Sequence, residues 1–374
     1  MIYDVITYTP ERKQAWDEFV LSSRNATFLH LRGYMDYHAD RFHDSSRMVY
    51  KNGRLVALLP ANLTPDGILH SHQGLTYGGW LLPPAHLDGA DLLEIFQTAI
   101  SLWKAEGIKE LDYKPIPTIY HKAPSQEDLY ALFRLGAETT EVNLSMAIDL
   151  STPPRYNTLR RRSLKKASTL DFTIEETDDC DTFISLVNTC LSDRHNARAV
   201  HTPAELSLLR TRFPSHIRLF WLRPSPSLLA SSLSSSSSQA SSLSSPSLQA
   251  PSLSSPSLQA PSLSSSSEAG GACVLSSEGA CSREAGCPAA LVCVYETGQV
   301  AHAQYIATTP YGRDHNLLTP LFDYLIREVF ASRRYFDFGT SNEAHGLILN
   351  EGLLRQKASY GASGIAYPRL RLRP

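Results

Sequence analysis

The sequence predicts a mixed α/β protein made of two copies of one unit, each a mostly antiparallel sheet with flanking helices. Three observations carry this. The order strand, strand, strand, helix, strand occurs twice. Each copy is preceded by a strand and helices. Each is followed by another helix and a strand.

In the first copy Tyr3–Tyr8 alternates as a strand and Arg12–Ser22 follows as a helix. Arg47–Tyr50 and Arg54–Pro60 are short strands joined at Asn52-Gly53, a strong hairpin signal. Ile68–Tyr77 is the third strand. Asp88–Glu106 is an amphipathic helix, with Leu92, Leu93, Ile95, Phe96, Ala99, Ile100 and Trp103 on one face. Glu110–Pro115 is a strand. In the second copy Phe172–Glu176 and Thr182–Leu191 lead in, and Ile217–Leu222 with Ala290–Tyr295 form the hairpin. Val300–Ala307 is the third strand. Leu317–Phe330 is the helix, with Leu318, Leu321, Phe322, Leu325, Ile326 and Val329 inward, and Arg334–Gly339 is the strand after it. The boundary falls near Leu150, at Ser151-Thr-Pro-Pro154, giving units 1–150 and 151–374.

The second hairpin is interrupted at about 224–289. From Ser231 to Gly270 a ten-residue unit repeats four times, and 21 of these 40 residues are Ser. Each repeat offers one or two Leu to bury, too little to offset its ordering entropy, so the segment reads as a disordered insertion at a hairpin tip. It also explains the composition. The chain has 374 residues and 19% charged side chains, 35 Lys+Arg against 37 Asp+Glu, net charge −2. Outside residues 224–290 there are 34 basic and 34 acidic side chains, the usual charge density for two domains. This balance excludes a basic nucleic-acid coat and an acidic tail.

The opening MIYDVITYTPERKQAW lacks a basic region followed by an apolar one, and no stretch approaches about 18 uncharged apolar residues. The expectation is a cytoplasmic soluble protein without a membrane span. None of the six cysteines forms a C-x-x-C pair, so free thiols are expected and no metal site. His70 and His72 share a strand face by period two, but no carboxylate or Cys accompanies them as a ligand set.

Two blocks of sequence point to a family. His70-Ser-His-Gln-Gly-Leu-Thr-Tyr-Gly-Gly79 resembles a first-domain signature of bacterial FemAB-like proteins. Phe336-Asp-Phe-Gly339 through Glu343, Gly346, Leu349-Asn-Glu-Gly-Leu353 and Gln356-Lys357 resembles the second-domain signature. Arg194-His195, His201-Thr202 and Glu205-Leu206 fit as well. The chain thus resembles the FemABX-like branch of tandem GNAT acyltransferases over nearly its whole length except about 224–289. The resemblance implies transfer of an acyl or aminoacyl group to a primary amine. It implies acyl-CoA or aminoacyl-tRNA as co-substrate and no tightly bound cofactor. The expected partners are an amine-bearing small molecule or cell-wall precursor, and tRNA if that is the donor. The glycine-rich pyrophosphate loop of CoA-dependent members has no full counterpart. Thr309–Asn316 holds its place with one glycine, and Trp80–His86 with none.

Acyl transfer to an amine needs a proton acceptor, donors for the oxyanion and positive charge for the donor's phosphates. There is no G-x-S-x-G elbow and no His-Glu-x-x-His helix. Asp337, mid-strand, and Glu343, just past the strand end, are the candidate catalytic carboxylates. Asp112 stands at the place equivalent to Asp337 in the first copy, which suggests a role in the fold as well. His72, Tyr77, Tyr305 and Asn350 are candidate substrate contacts. Gly74, Gly78 and Gly79 suit close backbone approach. Arg160, Arg161 and Lys165, in the basic run Arg155–Lys166, and Arg355 with Lys357 are candidates for donor phosphate. Arg369, Arg371 and Arg373 alternate along a terminal edge strand. The alternative function is a non-catalytic GNAT-fold module that binds a nucleotide-linked or cell-wall precursor ligand.

Overall fold

The computed structural model describes residues 3–85, 87–195, 198–225 and 287–374, with backbone alone for 193–195. The chain begins with strand β1 (Tyr3–Thr7), helix Lys13–Ser22, and the hairpin of β2 (Arg47–Lys51) and β3 (Arg54–Leu59). Asn52 and Gly53 take φ +51° and +77°, the left-handed pair that a two-residue hairpin turn needs. Then come β4 (Asn62–Leu63), β5 (Ile68–His70), helix Gly89–Ala105, β6 (Glu110–Tyr113), helix Glu127–Arg134 and β7 (Glu138–Asp149).

The second half repeats this order. Helix Thr158–Ala167 leads to β8 (Phe172–Thr177) and helices Cys180–His195 and Pro203–Arg212. β9 (Ile217–Pro224), β10 (Ala290–Glu296) and β11 (Val300–Thr308) follow, with β9 and β10 antiparallel from Ile217↔Tyr295 to Leu222↔Ala290. The helical stretch Leu318–Tyr324 continues as a wider turn to Val329. Then come β12 (Tyr335–Thr340), the small hairpin β13 (Asn342–Glu343) and β14 (Ile348–Leu349), helix Glu351–Ala358 and β15 (Ser363–Leu372). The flanks of the expected insertion therefore pair as a hairpin, while residues 226–286 lie outside the described residues.

One ten-stranded sheet runs β4-β5-β6-β15-β7-β12-β11-β10-β9-β8, and β1-β2-β3 form a separate sheet. The last strands of the two halves are exchanged. β7 pairs with β12 of the second half, and the C-terminal β15 inserts between β6 and β7. β15 was expected at an edge. It is central because its register places Arg369 and Arg371 beside acidic partners: Arg369 on Asp112, and Arg371 Nε 2.9 Å from Glu110.

The helix faces pack as their periodicity requires. Leu92, Ile95, Phe96, Ala99 and Trp103 are fully buried under β3, β5 and β6, and Leu321, Phe322, Leu325 and Ile326 cover Phe336 on β12. A third core joins the halves through Trp16, Phe28, Tyr34, Phe213 and Tyr295. The free-thiol expectation holds for Cys180 and Cys293 but not for Cys287, which is disulfide-bonded. Among the described residues no helix is long and apolar enough to cross a membrane, and no cluster of three His, Cys, Asp or Glu could hold a metal ion.

Candidate active site

The site arises where two parallel strands separate. β11 and β12 pair only over Val300↔Tyr335, Ala301↔Phe336 and His302↔Asp337. β11 then runs on to Thr308 paired with β10 but not with β12, and the gap opens into a cleft of about 650 Å³. His302, Gln304, Ile306 and Thr308 all line the cleft, and a β-bulge against β10 at Gln304 interrupts the strand's alternation between them. Phe338 and Gly339 of β12, Gln356 and Lys357 of the last helix, and Tyr367 and Arg369 of β15 form the opposite side. Thr76, Tyr77 and Lys114 close it from the first half.

At the fork, His302 and Asp337 face each other with Nδ1 2.9 Å from Oδ2. Asp337 is fully buried and receives four further donors. Tyr120 and Tyr367 hydroxyls give to Oδ2 at 3.0 and 2.9 Å, while Ser145 Oγ and the Gly339 N–H give to Oδ1 at 2.7 and 3.0 Å. Burial alone would raise its pKa. His302 and these donors outweigh burial and bring it down to about 2. Such a carboxylate stays ionised and fixes the proton of His302 on Nδ1, leaving Nε2 as an acceptor.

Lys357 is buried, and its Nζ donates to the carbonyls of Gly339 at 2.9 Å and Thr340 at 2.6 Å. Burial pushes its pKa down to about 8, with Asp337 opposing. Gly339 holds φ +74°, a conformation that favours glycine, and it turns its carbonyl to this ammonium. The amide oxygen of Gln304 is buried without a hydrogen-bond partner among the described residues.

The structure brings few of the expected site residues together. Lys357 and Tyr77 line the cleft. The Tyr77 hydroxyl, however, donates to Thr27 at 3.3 Å, and its ring packs 4.5 Å from Tyr120, so it serves as wall. Asp337 does not reach the cleft surface and acts through His302. Glu343 is exposed on β13 and accepts from Asn350 Nδ2 at 3.0 Å. Asn350 itself caps the last helix by accepting from the Leu353 N–H. Tyr305 shares the face of His302 across the β-bulge at Gln304, since their β10 partners Cys293 and Tyr295 are two residues apart, but it packs in the core with its hydroxyl 2.6 Å from His201 Nδ1 and does not line the cleft. His72 leaves the strand at φ +69° and stacks 5.2 Å from His38, away from the cleft. Arg355 pairs on the surface with Glu351 at 2.6 Å. Arg160 is structural: it lies 4.0 Å over Tyr360 and donates to Thr319 and Ser359 at 2.6 and 3.0 Å. Arg161 and Lys165 are exposed on the same helix.

His302 and Gln304 are the residues that sequence reasoning missed. The signal was present. His70 and Asp112 occupy the same parallel register in the first half, with Nδ1 2.6 Å from Oδ2. Aligning the two halves on Asp112 and Asp337 therefore brings His302 onto His70.

No protein-family model matches the chain, and no curated protein matches it. Among solved structures, FemX superposes with a TM-score of 0.60 at 12% identity, covering 99% of this chain and 97% of FemX. A conserved protein of unknown function from Bacteroides thetaiotaomicron gives 0.54 at 10%, covering both chains fully. The C-terminal domain of a protein provisionally named a lysylphosphatidylglycerol synthetase, from Agrobacterium fabrum, gives 0.51 at 11%, with 96% of this chain and 91% of that domain covered. These likenesses show the fold that the chain shares with FemX and these proteins, a mixed α/β sheet flanked by helices.

Proposed function

We propose that the protein is an acyltransferase that moves an acyl or aminoacyl group onto a primary amine in the cleft between β11 and β12. The observation that carries this reading is the His302–Asp337 pair, set where the strands fork. Nδ1 of His302 is committed to Asp337, so Nε2 accepts the proton that the ammonium form of the acceptor must lose before it attacks. The free amine then adds to the acyl carbonyl carbon. As the tetrahedral species collapses the donor's C–O or C–S bond breaks, the leaving oxygen or sulfur takes the proton held on His302 Nε2, and the nitrogen gives its extra proton to solvent. The unpartnered Gln304 oxygen suits a second N–H of the amine. Lys357 supplies fixed positive charge for the donor's phosphate, and no covalent enzyme intermediate is required.

The unit boundary near residue 150 belongs to this proposal. It makes the second unit the one that holds the base, while Tyr120 and Ser145 of the first unit tune it. A binding-only role would suit a cleft without ordered polar groups, whereas this cleft presents an oriented imidazole backed by a buried carboxylate with five donors.

The test is incubation of the full chain with labelled acetyl-CoA and, separately, with charged tRNA, over a panel of primary amines. Acyl loss dependent on both amine and His302 supports the reading and identifies the donor. Silence with both donors across the panel overturns it.

A further inference from the structure

The first half contributes a cation to the cleft that the chemistry above does not use. Lys114 follows β6 two residues after Asp112. Its main chain is fixed at both ends, the N–H donating to Ser71 Oγ at 2.7 Å and the carbonyl accepting from Gly78 at 2.8 Å. Among the described residues its Nζ donates to one protein acceptor, the carbonyl of Leu75, at 2.6 Å. An ammonium carries three donors, so two are unspent.

Among the described residues no carboxylate oxygen lies within 4.0 Å of the Nζ of Lys114 or Lys357. The nearby acids are already engaged. Asp112 gives both oxygens to Arg369 and one to His70. Glu141 accepts from Asn143 at 2.5 Å and lies 3.5 Å from Arg369. Burial pushes Lys114 down to about 8, with Arg369 adding to the effect and Asp112 and Glu141 opposing it.

A half-buried ammonium without a contacting anion is costly, and a ligand anion removes that cost. The two halves also place their cations in related ways. The residue two past Asp112 is Lys114. The residue two past Asp337 is Gly339, and there Lys357 reaches in from the last helix to fill the position. The cleft is thereby lined by one ammonium from each half.

We propose that Lys114 forms an anion-binding subsite at the first-half end of the cleft, which takes a carboxylate or phosphate carried by the amine acceptor. Naming the ligand as the acceptor rests on the acyl-transfer reading; the anion site itself does not. Substrate selection follows: an amine bearing an acidic group is held at Lys114 with its amine toward His302, and its decarboxylated analogue lacks that hold.

The subsite is tested on the full chain with pyridoxal 5′-phosphate and borohydride, followed by peptide mapping. This probe carries an aldehyde for one lysine and a phosphate for the other. Lys114 and Lys357 are expected to label about ten-fold faster than the exposed Lys165 and Lys166. Reactivity alone reports a deprotonated amine, so protection is decisive. Excess inorganic phosphate or succinate should slow labelling of Lys114, and whichever protects better tells phosphate from carboxylate. Labelling of Lys114 at the rate of the surface lysines, or labelling that neither anion slows, overturns the subsite. A Lys114→Gln variant that melts like the parent should raise KM about ten-fold for an acidic amine while leaving kcat and a neutral amine unaffected. Anion protection in a protein silent with every donor would retain the subsite and reject the acyl-transfer reading.

Discussion

The His70–Asp112 and His302–Asp337 pairs occupy the same register in the two halves, yet one is enclosed and the other meets an open cleft. Each spans a parallel strand pair at its last bonded register, His70↔Asp112 and His302↔Asp337. In the first half the fork is filled. Ser71 and Gly78 stitch the following loop across it through Lys114, and a Cβ on Gly78 would fall 1.9 Å from the Ser71 carbonyl oxygen. Arg369 then clamps Asp112 with two nitrogens. In the second half the strands part with nothing between them, and His302 stands on the cleft wall. One strand makes the difference. On β15, Tyr367 and Arg369 are two residues apart and point the same way, the phenol to Asp337 and the guanidinium to Asp112. A phenol brings no charge, so the His302 ring faces its acid without a guanidinium beside it. At Asp112 the guanidinium stands beside His70.

The largest expected contrast is in catalysis. His302→Ala should lower kcat about 10²–10⁴-fold with little change in melting temperature, since the removed group acts on the amine's proton. His70→Ala should lower the melting temperature and leave kcat per folded molecule within a few-fold. Equal losses of kcat in the two variants would end the distinction.

Acid should act elsewhere. His30 and His201 are buried, and burial holds both pKa values at about 4, with Glu205 opposing it at His201. Their unfolded forms take up protons from about pH 6.5 downward, so their contribution is complete above 6.5 and is lost as pH falls toward 4. Each shift is worth on the order of 3 kcal/mol at its limit. Asp337, held at about 2, loses its contribution only from about pH 3.8 down to 2. A denaturant midpoint that stays flat from pH 6.5 to 4 would contradict this assignment.

Arg369→Met should cost about 1–3 kcal/mol in chemical unfolding, discounted because the guanidinium is about a third exposed (32%). The loss should fall on stability, since Asp112 is left buried with His70 alone. A fall in kcat as steep as that of His302→Ala would instead place Arg369 in the site.

The smallest effect concerns the two hairpins. The first closes at Asn52-Gly53 and the second carries residues 226–286. Replacing that segment by a short turn should leave a cooperative melt and change stability by no more than about 2 kcal/mol, because closure cost grows only logarithmically with length. Loss of cooperativity would show that the segment is part of the fold.

Much of the fold is legible in the sequence because period and turn chemistry are local. Helix faces such as Leu92, Ile95, Phe96, Ala99 and Trp103 follow from 3.6-residue spacing, and Asn52-Gly53 fixes its turn by backbone conformation alone. The third strand of the first half was read to Tyr77 but ends at His70, since His72 turns left-handed under contacts from His38 that no local pattern records. Tyr305 reads as a cleft residue but packs in the core against His201, and the β-bulge at Gln304 that separates it from His302 leaves no local signal.

The sequence by itself determined the duplicated order of elements, the helix faces, the hairpin that holds the low-complexity segment, and the paired acids Asp112 and Asp337. These depend on spacing between neighbours along the chain. The tertiary structure alone settles which of the two pairs faces the open cleft. That choice depends on where β15 enters the sheet, and its residues lie 30 and 257 positions from the carboxylates they contact. Contacts at such separation carry no local periodicity, so the open fork, the oriented imidazole of His302 and the two cleft ammoniums emerge only when the chain has folded.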